Sequence, residues 1–524
     1  MDYCCTFWPL TLNSLFFLSI VIKALFNTTN SIAVKSKVAL LGICSCFAVS
    51  ATIFTQNNHF ELSYDYLAKV AQAVNDTSSG YFFSAPGLFD SDDNSESRLT
   101  LRHEDQSISI SPQFSIFSEA ADDKSDLFFS FHAGGVYRSP FLKAFLDIHA
   151  YTTQNSSTGS FKDFGYERFI RTDEHVPIEG FMDFRVNLPE AYLETSYKNI
   201  TLQTGKRKLR WGPGYKGTLG LSGTSYSPFF FYHLQLKFGE LMHLSSFLCT
   251  YDDPYYYKNE ISIDTVFKVK NTNRGLTSLP SRYGAGQRLN VRLGKHVQLG
   301  IYELVSFYGV EDLTHFANPL QIYYLGNQAS GTNGANLLGG MDFNVVVGKF
   351  RVYGEFLNDD ITMFDDKGNP DKFALQLGTA YYPNSFISAT GLEYTHVSPY
   401  VYGHSRVLSR HAIWGESLGW PYGNDQDVVT GYCLFNIRPD LKARAELSYW
   451  LKGKGTIESD WTADGKPDLD IAPYFPQNPR RIFTAYLSME YHPKNWLSGS
   501  IVYRPALEEG KIDNGFQGML GIGY

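Results

Sequence analysis

From about residue 107 to its end, the sequence alternates between apolar and polar residues. In YHLQLKF, Tyr232, Leu234, Leu236 and Phe238 share one face, and His233, Gln235 and Lys237 share the other. QRLNVRL repeats the pattern with Leu289, Val291 and Leu293 against Arg288, Asn290 and Arg292. KFALQLGTAYY does so with Phe373, Leu375 and Leu377, and LKARAELSYWL sets Leu441, Ala443, Ala445, Leu447, Tyr449 and Leu451 against Lys442, Arg444 and Glu446. A period of two belongs to strands, whose successive side chains point to opposite sides. The last segment, GFQGMLGIGY, keeps the alternation through Phe516, Gly518, Leu520 and Ile522 to Tyr524. The chain is therefore expected to be all-β.

Periodicity alone does not separate a soluble β protein from a membrane barrel. Composition tilts the choice. Aromatic residues make up 16% of the chain, with 35 Tyr and 40 Phe, and membrane barrels concentrate aromatics in girdles at both lipid–water interfaces. Mean hydropathy is only -0.22, and past about residue 55 there is no apolar run of the ~20 residues that a spanning helix needs. A barrel fits both facts, because only every second strand residue faces lipid. The expected fold is a large transmembrane antiparallel β-barrel of roughly 16–20 strands. A net charge of -8 argues against nucleic acid as a partner.

The first 55 residues read as an export region. VKSKVALLGICSCFAVSATIF, residues 34–54, has Lys35 and Lys37, then an apolar core, then the small residues Ala48, Ser50 and Ala51; this is the three-part secretory pattern. An earlier apolar stretch, Phe7 to Phe26, lacks a basic start, so translation is expected to begin near Val34. Residues 56–106 are expected to be a periplasmic helical segment followed by an acidic linker: Tyr64, Leu67, Ala68 and Ala71 recur at helical spacing, and DSDDNSES follows at 90–97. Residues 107–524 are then the barrel, with polar candidate loops at 152–180, 251–284, 309–335, 358–371, 398–427 and 453–480. Beyond the export region only Cys249 and Cys433 remain, enough for one bridge or two free thiols.

The most distinctive stretch is GKRKLRWGPGYKGTLGLSGTSYSPF, residues 205–229. Its WGPG is a tight turn beside a basic run. NPLQIYY at 318–324, GGMDFNVVVGKFRVYGEFLNDD at 339–360, LEYTHVSPYVYGH at 392–404 and ESLGWPYGNDQD at 416–427 accompany it. In order and spacing these segments resemble the capsule assembly Wzi family over most of residues 100–524. The resemblance implies an outer-membrane barrel with a helical periplasmic part. It also implies a non-enzymatic lectin that helps attach capsular or related polysaccharide to the cell exterior.

Within WGPG and its flank, Lys206, Arg207 and Arg210 could pair acidic sugars, with Trp211 and Tyr215 as aromatic partners; the alternative is that the segment shapes a turn or plug whose charges line the lumen. Trp461, in ESDWTADGKPDLD, is a further sugar-contact candidate. Gly415-Glu416-Ser417-Leu418-Gly419 fits G-x-S-x-G, but a nucleophile elbow needs a strand–turn–helix context. The acidic loops at 359–371 and 458–470 lack regular calcium-ligand spacing, and no His pairing suggests a metal. No cofactor is expected. The expected partners are surface polysaccharide and outer-membrane lipid, and a monomer is expected. A porin-like channel for sugars or other solutes is the alternative function.

Overall fold

The computed structural model describes residues 99–523, except 104, 122–123, 154–173, 179–181, 224–227, 252–280, 310–312, 314, 320, 325–333, 361–370, 384, 405, 414, 460–474, 477 and 495–496. The export region, the expected helix at 57–79, the acidic linker, Trp461 and most of both acidic loops lie outside the described residues. So does Tyr524. Strands already begin at Leu99.

In chain order the strands are β1 (Leu99–His103), β2 (Gln106–Ala121), β3 (Lys124–Arg138), β4 (Leu142–Thr153), β5 (Glu174–Ile178), β6 (Met182–Tyr197), β7 (Ile200–Lys206), β8 (Arg210–Trp211) and β9 (Leu221–Ser222). They continue as β10 (Phe229–Phe238), β11 (Met242–Thr250), β12 (Arg282–Leu293), β13 (Val297–Tyr308), β14 (Asn336–Val347), β15 (Phe350–Asp360), β16 (Lys372–Tyr381) and β17 (Ile387–Val397). The last are β18 (Ala412–Ile413), β19 (Glu416–Ser417), β20 (Gln426–Arg438), β21 (Leu441–Lys452), β22 (Arg480–Lys494), β23 (Leu497–Glu508) and β24 (Lys511–Gly523).

Among the described residues, twenty strands share one sheet. β1 pairs with β2 and β5 with β6 as short additions, which leaves eighteen in an antiparallel ring. The ring closes where β24 pairs with β2, from Gln113 opposite Gly523 to Ala121 opposite Gly515. Closure leaves no sheet edge to face lipid, which is the condition for spanning a membrane with strands. Among the described residues, no helix is long and apolar enough to cross a membrane.

The faces expected from the sequence are the faces observed. Ile301, Met341, Leu392, Leu447, Phe483, Phe516 and Leu520 are exposed on the outside. On the inside, Arg288, Glu355, Gln376, Glu393 and Glu446 are buried. The two ends of the ring differ. At one end, β6–β7, β10–β11, β12–β13 and β14–β15 are joined by turns of two or three residues. At the other, β7–β10, β13–β14, β17–β20 and β21–β22 are joined by much longer segments. Cys249 and Cys433 are free thiols.

A candidate functional site: the segment folded into the barrel

An eighteen-stranded ring is wide enough to leave an aqueous channel; here a stretch of chain enters it. After Lys206 the chain leaves the wall. Lys206 itself is half-buried, and residues 207–223 turn inward, with Trp211 and Leu219 fully buried and Tyr215 2% exposed. β8 and β9 pair as a two-rung hairpin, and WGPGYKGTLG makes the excursion between them. Gly212 has φ +127°, and a Cβ there would meet the Glu355 carboxylate and Thr218, so only glycine fits.

The excursion is held by wall side chains that bond its backbone. The Glu393 carboxylate on β17 accepts the N–H groups of Tyr215 (2.5 Å) and Lys216 (3.0 Å). The Glu355 carboxylate on β15 accepts those of Leu219 (3.0 Å) and Gly220 (3.1 Å). Between them, on β16, Gln376 donates to the Gly217 carbonyl at 3.2 Å. Arg351 donates to the Pro213 carbonyl at 2.7 Å. The inner segment thus runs across β15, β16 and β17, and its peptide groups are satisfied by side chains rather than by strand pairing. Wall tyrosines complete both acidic clamps: Tyr302 donates to Glu355 at 2.6 Å and Tyr353 to Glu393 at 2.9 Å.

A third carboxylate, Glu446 on β21, takes the segment's side chains. It pairs with Lys216, accepts from the Tyr215 hydroxyl at 3.1 Å, and bonds Arg444 at 2.8 Å. The Tyr215 ring stacks on Tyr432 with centroids 3.6 Å apart and planes 5° apart. A buried carboxylate is costly unless donors surround it; each of these three has at least three.

A second segment, residues 398–425, folds in beside the first. Ser222 N–H donates to the Leu418 carbonyl at 2.9 Å, and the Tyr402 hydroxyl donates to the Leu219 carbonyl at 2.8 Å. From the wall, Arg282 donates to the carbonyls of Leu408, Arg410 and Ala412. His411 bonds Ser306 through Nδ1 and the Gly220 carbonyl through Nε2. Its burial, with Arg282 nearby, lowers its pKa to about 4.

The structure brings together five of the six sugar-contact candidates, in a setting different from an open surface. Arg207 is buried, 4.4 Å over the Tyr192 ring and 3.6 Å from Glu194, and burial lowers its pKa to about 10. Arg210 ties the hairpin internally, donating to the Ser222 and Gly214 carbonyls at 3.1 and 2.6 Å. The Trp211 ring packs against Phe247 and Tyr302 and has no face open to a ligand. Sequence reasoning missed the clamps, although it set Glu446 on the polar face of its strand. The available signal was one acidic residue on that face between outward apolar neighbours: GEF, LEY and AEL at 354–356, 392–394 and 445–447.

Ser417 lies in β19 of the two-rung β18–β19 hairpin. It is buried and accepts the Gly419 N–H at 3.0 Å. No helix follows it in the described residues, and both nitrogens of the neighbouring His411 are engaged elsewhere. Among the described residues, no group of three or more His, Cys, Asp or Glu could hold a metal.

The capsule assembly protein Wzi family model matches residues 91–383. Among solved structures, the chain is similar to Wzi of Escherichia coli, described as an outer-membrane protein involved in group 1 capsule assembly and a carbohydrate-binding β-barrel. The TM-score is 0.51 at 15% identity, covering 88% of this chain and 94% of that one. Pseudomonas aeruginosa OprD follows at TM-score 0.42 and 12% identity, covering 80% of this chain and 95% of that one. Acinetobacter baumannii OccAB4 gives 0.43 and 10%, covering 80% and 98%. No curated protein matches the sequence. With more than half its length matched by that one family model, this outer-membrane β-barrel belongs to the capsule assembly protein Wzi family.

Proposed function

We propose that this barrel binds surface or capsular polysaccharide at its long-loop end and helps assemble or retain it on the cell exterior. The observation that carries the reading is the pair of inner segments, which fold from the long-loop end into a ring otherwise wide enough to conduct. Chain folded in from that end offers a surface on which a polymer can rest. Outer-membrane barrels keep short turns on the periplasmic side and longer loops outside, so the long-loop end is assigned to the exterior. The description of the Escherichia coli relative as carbohydrate-binding supports a saccharide as the ligand.

In this reading the saccharide contacts fall on Lys206 and on the loop carrying Trp461. Arg207, Arg210, Trp211 and Tyr215 act one layer below, fixing the segment on which the contact surface rests. The chemistry needed is binding alone, without catalysis or cofactor. Deleting the gene and staining for cell-bound against shed polysaccharide tests the proposal. Polysaccharide should move from the cells to the medium, and unchanged retention would overturn it. Planar-bilayer recording separates this reading from the porin-like alternative: a large, steady open-channel current from the purified barrel would favour the channel.

A further inference from the structure

A third segment leaves the strand path, and it lies on the other side of the wall. Residues 313–324, of which 314 and 320 are outside the described residues, follow β13 and fold back over the outer faces of β10 to β14. Phe316 and Tyr323 are fully buried there against Leu248, Ala285, Val305 and Phe307. Those four residues occupy outward positions, since Leu248 pairs with Ala285 and Ala285 with Val305 along one rung.

The wall beneath this strap is polar where lipid would be expected. Glu303 shares its outward parity with the exposed Leu299 and Ile301, yet it is the seventh residue of the 12-residue strand Val297–Tyr308. A strand needs about 9–11 residues to cross the hydrocarbon layer, so a position near the middle of β13 lies at membrane depth. Its rung partner Gln287 also faces outward. A bare outward carboxylate and amide at that level would be expensive.

The strap resolves this by bonding its own backbone to them. Glu303 accepts the Tyr323 N–H at 2.9 Å, Gln287 donates to the Gln321 carbonyl at 2.5 Å, and the Tyr232 hydroxyl donates to the Ala317 carbonyl at 2.9 Å. Backbone polar groups at membrane depth are tolerated only where protein satisfies them; in the strap Leu313, His315, Phe316, Tyr323 and Tyr324 are helical, and wall side chains serve the backbone groups of Ala317, Gln321 and Tyr323. On its far side the strap presents Ile322 and Tyr324, 53% and 55% exposed. Ile301 and Met341 on the adjoining strands are exposed to a similar degree.

We propose that residues 313–324 form an intramembrane strap, a second layer of the wall that lies within the lipid and presents Ile322 and Tyr324 to acyl chains of the outer-membrane lipid. The strap converts an outward polar notch into apolar surface. The proposal does not depend on what the long-loop end binds.

The test places a photo-crosslinking residue on the strap. Tyr324→p-benzoylphenylalanine in the full chain is reconstituted in phosphatidylcholine vesicles, irradiated and analysed by mass spectrometry. Ile301→p-benzoylphenylalanine serves as the lipid-facing reference and Glu509→p-benzoylphenylalanine as the loop reference. The strap position should form phospholipid adducts within about twofold of the Ile301 yield. Adduct yields as low as at Glu509 would overturn the proposal, and so would a crosslinked dimer in place of lipid adducts, which would make the strap a contact between copies. Adding Glu303→Leu and Gln287→Leu removes the anchors; the lipid adduct at Tyr324 should then fall severalfold, and an unchanged yield would overturn the anchoring.

Discussion

The inner segment at 207–223 and the outer strap at 313–324 rest against the same wall, one on each side, and they are held by different means. Inside, Glu355, Glu393 and Glu446 supply paired acceptors, and the segment meets them with backbone N–H groups, a lysine and a tyrosine. Outside, two fully buried aromatics lie on an apolar face; Glu303 accepts one strap N–H, and Gln287 and Tyr232 donate to strap carbonyls. The difference follows from what each segment displaces. The inner segment replaces water, so every polar group it covers needs a new partner of equal quality. The strap replaces lipid, so its apolar groups exchange one hydrocarbon neighbour for another and only its backbone has to be satisfied. Charge therefore sits on the inner contact and shape on the outer one.

That contrast makes the inner clamps the most sensitive positions. Glu393→Leu leaves the N–H groups of Tyr215 and Lys216 and the Tyr353 hydroxyl without their acceptor. At about 1–3 kcal/mol for each of the three buried groups left unsatisfied, the loss should be at least about 3 kcal/mol, read from the urea midpoint of the barrel folded in lipid vesicles. Glu355→Leu should behave alike. A loss below ~1 kcal/mol for both would mean that packing, and not the clamps, holds the segment.

Acid should attack the same side. With its folded pKa lowered to about 4 against about 6.5 when unfolded, His411 is neutral in both states above pH 6.5 and contributes nothing there. As pH falls from 6.5 to 4, the unfolded chain takes up a proton that the buried ring resists, so stability declines over that window. The penalty approaches about 3 kcal/mol near pH 4. His411→Asn should flatten the urea-midpoint profile between pH 6.5 and 4. An unchanged slope would show that His411 is not the group responsible.

The strap should respond more weakly to loss of apolar bulk. In a water-facing core, Phe→Ala costs about 3–5 kcal/mol. For Phe316→Ala, lipid rather than water competes for the vacated surface, and the cost should be about 1–2 kcal/mol in the same unfolding assay. A full core-like penalty would place the strap outside the bilayer.

The wall was legible in the sequence and its linings were not, for a physical reason. Alternation reports which side chains share a face, so Leu289, Leu377 and Leu447 fall on apolar faces and Arg288 and Glu446 on polar ones; that the polar faces look inward follows only once the ring closes. Nothing in a period of two says what an inward carboxylate will meet. Nothing in the pattern singles out Glu355 and Glu393 until the chain 135 to 178 residues away in sequence is laid across them. WGPG was legible as a turn with two readings, sugar contact or plug; the direction in which the turn carries its chain depends on the barrel being closed around it. The same limit hid the strap. NPLQIYY looks like an ordinary loop until Glu303 is found on the lipid-facing parity of its strand.

The smallest effect separates stacking from charge within the inner segment. Tyr215 offers Glu446 a hydroxyl at 3.1 Å and Tyr432 a stacked ring at 3.6 Å. Tyr215→Phe removes only the first. Glu446 keeps Lys216 and Arg444, so no charge is left alone, and the loss should be about 1 kcal/mol. Tyr215→Leu also removes the stack, and should cost about 1 kcal/mol more. If Tyr215→Phe equals Tyr215→Leu, the hydroxyl carries the whole interaction and the ring is a spacer. If Tyr215→Phe costs nothing, Lys216 is the segment group that Glu446 holds, and the inner contact at β21 rests on charge rather than on a third clamp.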